Sequence, residues 1–478
     1  MTAPGPHPVL DAEDGVGPGP ALPDVGDSPA VPAGHLVGGP LAPRPFWLGL
    51  TGIVLGALAL RIGYVLIVTR HETNKLYDAF WYGVTAGELQ HGQFFRVPLG
   101  TAPTAAHPPL TSLLIGSFEI VAKPFGATVQ SLSMPVLGAL VVLFVGLLGR
   151  AVAGPWVGLT AALVAAFAPN FWIPSGILMS ETPSMLFMAV ILLCIVRFER
   201  SPSLGRAALI GVACGAEALV RAELILFVPA LLVPAVLAAR TLTLRRRLGA
   251  LALGILAVVV VLGPWVGRNL VTFQDATYIS TGDGLALLGA NCPQVYSGPY
   301  LGSWALGCAV SVNGPGDESV ASARDQHAAL EFAEHHAGRL PDVILARVGR
   351  LWDVDQPFQM AHGDVNEGRP VPASLAGLWV YWALLPLGVA GCVIYRRRGI
   401  RQWFLLVPAA VITVVSVLVY GLVRFRAPFE VCLVVLAAPT LVVLAQRGWA
   451  AVCPAGGRGA AVGQGAGAST WEAGALTR

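Results

Sequence analysis

Lysine is almost missing from this 478-residue chain: only Lys75 and Lys123 occur, while arginine, alanine, glycine and proline abound. That bias reads as high-GC, actinobacterial coding rather than as mechanism. Charge of either sign is scarce. Charged residues make up 12% of the chain against about 25% in soluble domains, which excludes an ordinary soluble domain. The net charge of +3 is spread over short loops between apolar runs, so no basic face exists for nucleic acid. The N-terminus lacks the basic start of a signal peptide, so no cleavage is expected. No glycine-rich nucleotide-phosphate loop is evident, nor an internal repeat of the kind found in many secondary transporters.

What the chain has in excess is apolar length. Hydrophobic residues are 55% of it and the mean hydropathy is +0.69. Apolar runs near the roughly 20 residues that cross a bilayer predict a polytopic membrane protein. Spans are expected near 46–69, 129–149, 155–171, 181–197, 206–220, 222–239, 248–266, 376–395, 402–421 and 427–446. A further run, 108–123, is short and bounded by Pro109 and Pro124. Residues 1–45, rich in Pro, Gly and Ala, and the Gly/Ala-rich 447–478 are expected as disordered tails.

The positive-inside rule orients the chain. Its basic loops are Arg197/Arg200/Arg206, Arg240 with Arg245–Arg247, and Arg396–Arg398 with Arg401. Placing all three in the cytoplasm gives ten crossings, with 108–123 as a non-spanning helix; eleven or twelve remain open. Both termini are then cytoplasmic, and 70–128 and 267–375 face outward. Residues 325–354 read as amphipathic helices on the outer membrane surface, with Arg339, Arg347 and Arg350 snorkelling to headgroups. Of the cysteines, Cys292 and Cys308 alone fall in an outer loop. They are either two free thiols or, the favoured reading, a disulfide stapling a Gly/Pro-rich segment.

Chemistry-bearing residues collect on the outer side. In "NKLYDAFWY", Asp78 stands at the start of an expected helix 78–90, with Tyr82 and Thr85 near its face. It is either an N-cap, with Asn74 as a rival, or a general base kept receptive by its aromatic neighbours. His107 in "AAHPPLTSLL" is either an exposed residue on a rigid turn or a phosphate contact near Asp78. Glu181 in "ILMSETPSML" either caps its helix or faces a cavity shared with Asp78. Arg268 with Asn269, Arg424 and Arg426 run against the positive-inside bias, and suit an anionic lipid. Arg221 is expected to pair with Glu223.

Together "YDAFWYGVTAGELQHGQFF", "HPPLTSLL", "SETPSMLF", "PWVGRN" and "YGLVRFRAP" resemble integral-membrane glycosyltransferases of the GT-C fold, over residues 46–446. The branch is family 39-like, related to protein O-mannosyltransferases and lipid A aminoarabinose transferases. The resemblance implies an all-α bundle of about 10–12 spans with interfacial helices in two large outer loops. It implies a polyprenyl-phosphate sugar donor, a cell-envelope glycan, lipid or protein acceptor, and transfer with inversion outside the cytoplasm. Asp78 matches the family's acid in the first outer loop and would be the general base, with Glu181 as a second catalytic candidate. His107, Arg268, Asn269, Arg424, Arg426 and Tyr82 would hold the lipid phosphate and substrate. Protein O-mannosyltransferases usually carry an adjacent acidic pair, whereas Asp78 is flanked by Tyr77 and Ala79. No metal site is assigned; a divalent metal stays open and no other cofactor is implied. The rival reading is a transporter or flippase of lipid-linked sugars. It is disfavoured by spans whose interior charge is reduced to Arg61 and Glu217.

Overall fold

The computed structural model describes residues 36–69, 78–122 and 129–452. Both expected tails lie mostly outside these residues, as do Asn74 and Tyr77. Among the described residues the chain is helical, with one isolated antiparallel bridge between Arg96 and Pro103. The α-helices are α1 Pro43–Ile67, α2 Asp78–Leu89, α3 Leu110–Ala122, α4 Val129–Ala153, α5 Pro155–Phe167 and α6 Pro169–Trp172. Then come α7 Glu181–Arg200, α8 Leu204–Val220, α9 Val233–Leu237, α10 Leu244–Thr272, α11 Asp283–Ala290 and α12 Glu318–His335. The last five are α13 Leu340–Leu351, α14 Pro357–Gly363, α15 Val371–Arg397, α16 Trp403–Leu418 and α17 Ala427–Val452.

All ten expected apolar runs are helical, but they differ in length. Six helices are long and apolar enough to cross a membrane: those at 43–67, 130–153, 181–200, 244–272, 371–397 and 423–449. A seventh forms if α5 and the segment Pro169–Gly176, bent by 73°, count as one span. The chain is therefore a multi-pass membrane protein. The stretch Ala222–Leu237, which passes from 3-10 through π to α turns, is apolar but too short to count as a span. The 13-residue α3 is too short to span.

The last span is the centre of the bundle. The apolar window of α17 is 83% buried, against 28% for α1 and 22% for α10. It packs on α15, α5 and α7, while α4 joins α1, α5 and α7, and α8 joins α7 to α10. Glycine sets two of these approaches. A Cβ on Gly391 would lie 1.7 Å from the Leu436 carbonyl oxygen, and one on Gly211 2.0 Å from that of Gly254.

The bend after α5 needs a donor. Ala168 is extended before Pro169, so the last carbonyls of α5 have no helical partner. Arg61 of α1, fully buried, supplies them. Its Nη2 donates to Ala165 O at 3.1 Å and Phe171 O at 3.3 Å, and its Nη1 to Ala166 O at 3.2 Å and Ala57 O at 3.1 Å. Gly138 leaves it room, since a Cβ there would meet Nε at 2.7 Å.

The expected outer segments fold as layers at one end of the bundle. α2, the 90–106 hairpin and α3 form the first; α11 to α14 form the second. Arg347 and Arg350 do not snorkel as expected: they turn inward and are 3% and 1% exposed. Arg347 donates to Val417 O, Ala290 O and Asn291 Oδ1, and Arg350 to Leu301 O and Pro299 O. The irregular backbone around 290–303 has few helical donors for its carbonyls, and two arginines supply them. Cys292 and Cys308 are joined by a disulfide in the same segment.

Arg61→Leu would strip donors from these carbonyls, each costing about 1–3 kcal/mol when left unpaired. Thermal unfolding in detergent is expected to show a clear fall in Tm, partly restored by Arg61→Lys; an unchanged Tm for Arg61→Leu would refute this role.

Candidate active site

Asp78 is the first residue of α2, where a carboxylate suits the positive end of a helix. It also makes a long-range bond. Arg424 Nη1 donates to Asp78 Oδ2 at 2.8 Å. Arg424 sits in the 3-10 turn Val423–Arg426 that leads into α17. The same Nη1 lies 3.6 Å from Glu367 Oε1. Glu367 is 3.7 Å from Arg369 Nε, and Arg369 Nη2 reaches Glu181 Oε1 at 3.0 Å. Charges of alternating sign thus run from Asp78 to Glu181 through Arg424, Glu367 and Arg369.

His107 completes the near side. Its ring packs 4.9 Å from Tyr82 and 5.7 Å from Trp81, centroid to centroid. Its Nε2 is 3.7 Å from Asp78 Oδ1, a field contact rather than a hydrogen bond. The backbone that carries it is clamped. Ala105 N donates to Glu318 Oε1 at 3.0 Å, Thr281 N to Ala105 O at 2.9 Å, and Ser280 Oγ to Ala106 O at 2.8 Å. Gly282 permits this, because a Cβ there would fall 2.4 Å from Ala106 O. Arg268 holds the hairpin base by donating to Thr104 O at 2.9 Å and Phe95 O at 3.1 Å. Asn269, fully buried, accepts from Arg268 and donates to Tyr278 O at 3.1 Å.

The electrostatics follow from these partners. Burial pushes the Asp78 carboxyl up, but Arg424, joined by His107 when that ring is protonated at low pH, outweighs it and holds it below the usual carboxylate range. Burial lowers the His107 pKa against the pull of Asp78, so the ring is neutral at pH 7. The Tyr82 phenol is pushed up by burial and by Asp78. Asp364, beside Arg369, is raised by burial to about 6.

Two expected anion contacts sit elsewhere. Arg426, 1% exposed, is not at a lipid surface; it bonds Asp353 Oδ2 and Glu430 Oε1, both at 2.8 Å, and lies 3.4 Å over the Tyr381 ring. Two positions apart in a 3-10 turn, Arg424 and Arg426 point to different sides. Glu181 is also buried and turned to Arg369. Arg221 pairs with Glu223 at 2.8 Å and lies 4.7 Å over Phe425, on whose ring Arg424 also rests. Glu367, Arg369, Asp364, Asp353 and Glu430 are additions to the residues singled out above. Glu430 also corrects the count of charges within the expected spans. Among the described residues no group of three or more His, Cys, Asp or Glu could hold a metal.

Residues 106–266 match the family model described as dolichyl-phosphate-mannose-protein mannosyltransferase. The match takes in His107, Glu181 and Arg221, and leaves Asp78 and Arg424 outside it. No curated protein sequence matches the chain. Among solved structures, the Archaeoglobus fulgidus oligosaccharyltransferase tethered with an acceptor peptide is similar at a TM-score of 0.51 and 15% identity, over 87% of this chain and 51% of that one. AglB of the same organism, in complex with an inhibitory peptide and a dolichol-phosphate, gives 0.50 and 16%, over 87% and 52%. ArnT from Cupriavidus metallidurans bound to undecaprenyl phosphate gives 0.40 and 14%, over 86% and 80%. The chain spans about half the length of the oligosaccharyltransferase chains it matches. The two oligosaccharyltransferase likenesses are of fold, and the fold is the GT-C-like helical bundle expected from the sequence.

The lowered His107 pKa sets a pH dependence. The unfolded chain takes up a proton near 6.5 that the folded ring refuses, so the contribution is complete above pH 6.5 and is lost as pH falls through the folded value. Urea unfolding is expected to weaken below pH 6.5, with a flatter pH profile for His107→Gln; identical profiles would count against it.

Proposed function

We propose that this chain is a membrane glycosyltransferase that moves a sugar from a polyprenyl-phosphate donor to an acceptor hydroxyl. The observation that carries the reading is Asp78, ionised by Arg424 at 2.8 Å and flanked by neutral His107, among the groups at one end of the bundle. The match of residues 106–266 to a mannosyltransferase family model supports it, as does the likeness in fold to an oligosaccharyltransferase solved with a dolichol-phosphate.

In this reading the acceptor oxygen attacks the anomeric carbon as the bond to the lipid phosphate breaks. The hydroxyl proton passes to Asp78, and polyprenyl phosphate leaves as the anion. A carboxylate held below its usual pKa is a weak base in the ground state. It becomes competent as the new C–O bond forms and the attacking oxygen turns acidic. Attack opposite the phosphate inverts the anomeric centre. Arg268, which bonds carbonyl and amide oxygens but no carboxylate, would bring an uncompensated positive charge to the phosphate, with His107 three residues beyond its Thr104 contact. Arg424 keeps Asp78 oriented and charged. In this reading the basic loops are cytoplasmic and this end of the bundle faces outward, where a lipid-linked donor replaces nucleotide sugars.

Asp78→Asn is expected to lower kcat by roughly 10²–10⁴-fold with a radiolabelled polyprenyl-phosphate sugar, the range for loss of a general base. Full activity in this variant sinks the assignment, and donor movement without glycosyl transfer in the wild type points to a transporter.

A further inference from the structure

A cleft beyond Arg424 has no part in the proton transfer just described. Arg424 forms one wall, and Asn170, Glu181, Asp364, Arg369 and Glu430 contribute others; Asp78 does not line it. Pro174 and Leu378 add apolar surface. The lining is polar, but its cations are already matched. Arg369 is held by Glu181 at 3.0 Å and Glu367 at 3.7 Å. Arg426 is held by Asp353 and Glu430 at 2.8 Å, and Arg424 by Asp78 at 2.8 Å and Glu367 at 3.6 Å. Each of these cations already faces carboxylates, so none carries an unmatched charge for an acid brought in by a ligand; Arg369 Nε and Arg424 Nε nevertheless have no hydrogen-bond acceptor, and a neutral hydroxyl could accept from them.

An acceptor is left over as well. Glu181 is 1% exposed, and its Oε2 has no hydrogen-bond partner. Its other oxygen is fixed by Arg369, so the carboxylate cannot swing away to find one. A buried carboxylate oxygen without a donor is costly, and a ligand that brings O–H groups removes that cost. Sugar rings combine hydroxyl donors with apolar C–H faces, which suits carboxylates beside Pro174 and Leu378.

We propose that this cleft seats a neutral, hydroxyl-rich sugar ring, one of whose hydroxyls donates to Glu181 Oε2. The assignment rests on the glycosyltransferase reading, and makes Glu181 a substrate-binding group rather than an acid or base. The ring belongs either to the lipid-linked donor or to a glycan acceptor. A ring bearing a carboxylate is rejected, because it would face Glu181, Asp364 and Glu430 with no free cation to receive it.

The test uses the full chain in detergent. Binding is measured for polyprenyl-phosphate hexose, its uronate counterpart, bare polyprenyl phosphate and a neutral methyl hexoside. Tighter binding of the hexose lipid than of bare polyprenyl phosphate identifies the donor ring; saturable binding of the methyl hexoside identifies the acceptor ring. In either case the uronate binds at least tenfold more weakly than the hexose. Glu181→Gln weakens the sugar-dependent binding by roughly ten- to a hundredfold and leaves bare polyprenyl phosphate unchanged. Equal binding of hexose and uronate overturns the proposal even if the variant fails to fold, and so does sugar binding indifferent to Glu181→Gln. Wild-type protein that binds the ring in this way but transfers no sugar defeats the glycosyltransferase reading and leaves the sugar cleft standing.

Discussion

Arg424 is the joint on which this end of the bundle depends. Its guanidinium bridges Asp78, at the head of α2, to Glu367, just before α15. The backbone behind it leads directly into the most buried span. Charge brought into a mostly apolar protein has to be neutralised by protein, and a partly matched network costs more than none. Two chains of ion pairs meet that requirement. One runs through Arg424 and Arg369, and the other through Arg426, Asp353 and Glu430. They diverge from residues two positions apart in one 3-10 turn, so the turn that heads α17 anchors both the candidate base and the floor of the cleft behind it.

Other arginines do a different job. Arg61, Arg268 and Arg347 bond carbonyls and amides rather than carboxylates. Each stands where helical hydrogen bonding stops: after α5, at the base of the 90–106 hairpin, and in the 290–303 segment. Non-helical backbone at membrane depth or just outside it needs such donors, and a planar fork with five N–H groups satisfies several acceptors at once. In this lysine-poor chain, arginine is both counter-ion and backbone cap.

Much of the fold was legible because apolar length is a strong signal; all ten expected runs are helical. The difference in span count is one of helix length: α8, α16 and the 222–237 stretch are each too short by themselves to be counted as spans, which the apolar runs did not reveal. Asp78 and His107 stood out through their aromatic and proline settings. The segment "HGDVNEGRP" did not, because Asp364, Glu367 and Arg369 look like any solvated loop until the fold turns them toward Arg424. Glu430 carried a usable signal, a carboxylate four residues after Arg426 inside an apolar run. Arg347 and Arg350 could not be read at all: helical spacing puts them on one face but does not say whether that face meets lipid headgroups or loop carbonyls.

The bond from Arg424 to Asp78 joins residues 346 apart. During synthesis the carboxylate emerges first and its partner only after all the expected spans that precede 427–446 have been made. Until then Asp78 has no guanidinium beside it, and the cleft behind Arg424 lacks the wall that α17 supplies. A ribosome-bound or truncated chain therefore holds most of the bundle but not the assembled site. Synthesis of the turn that carries Arg424 is the step that gives Asp78 its counter-ion.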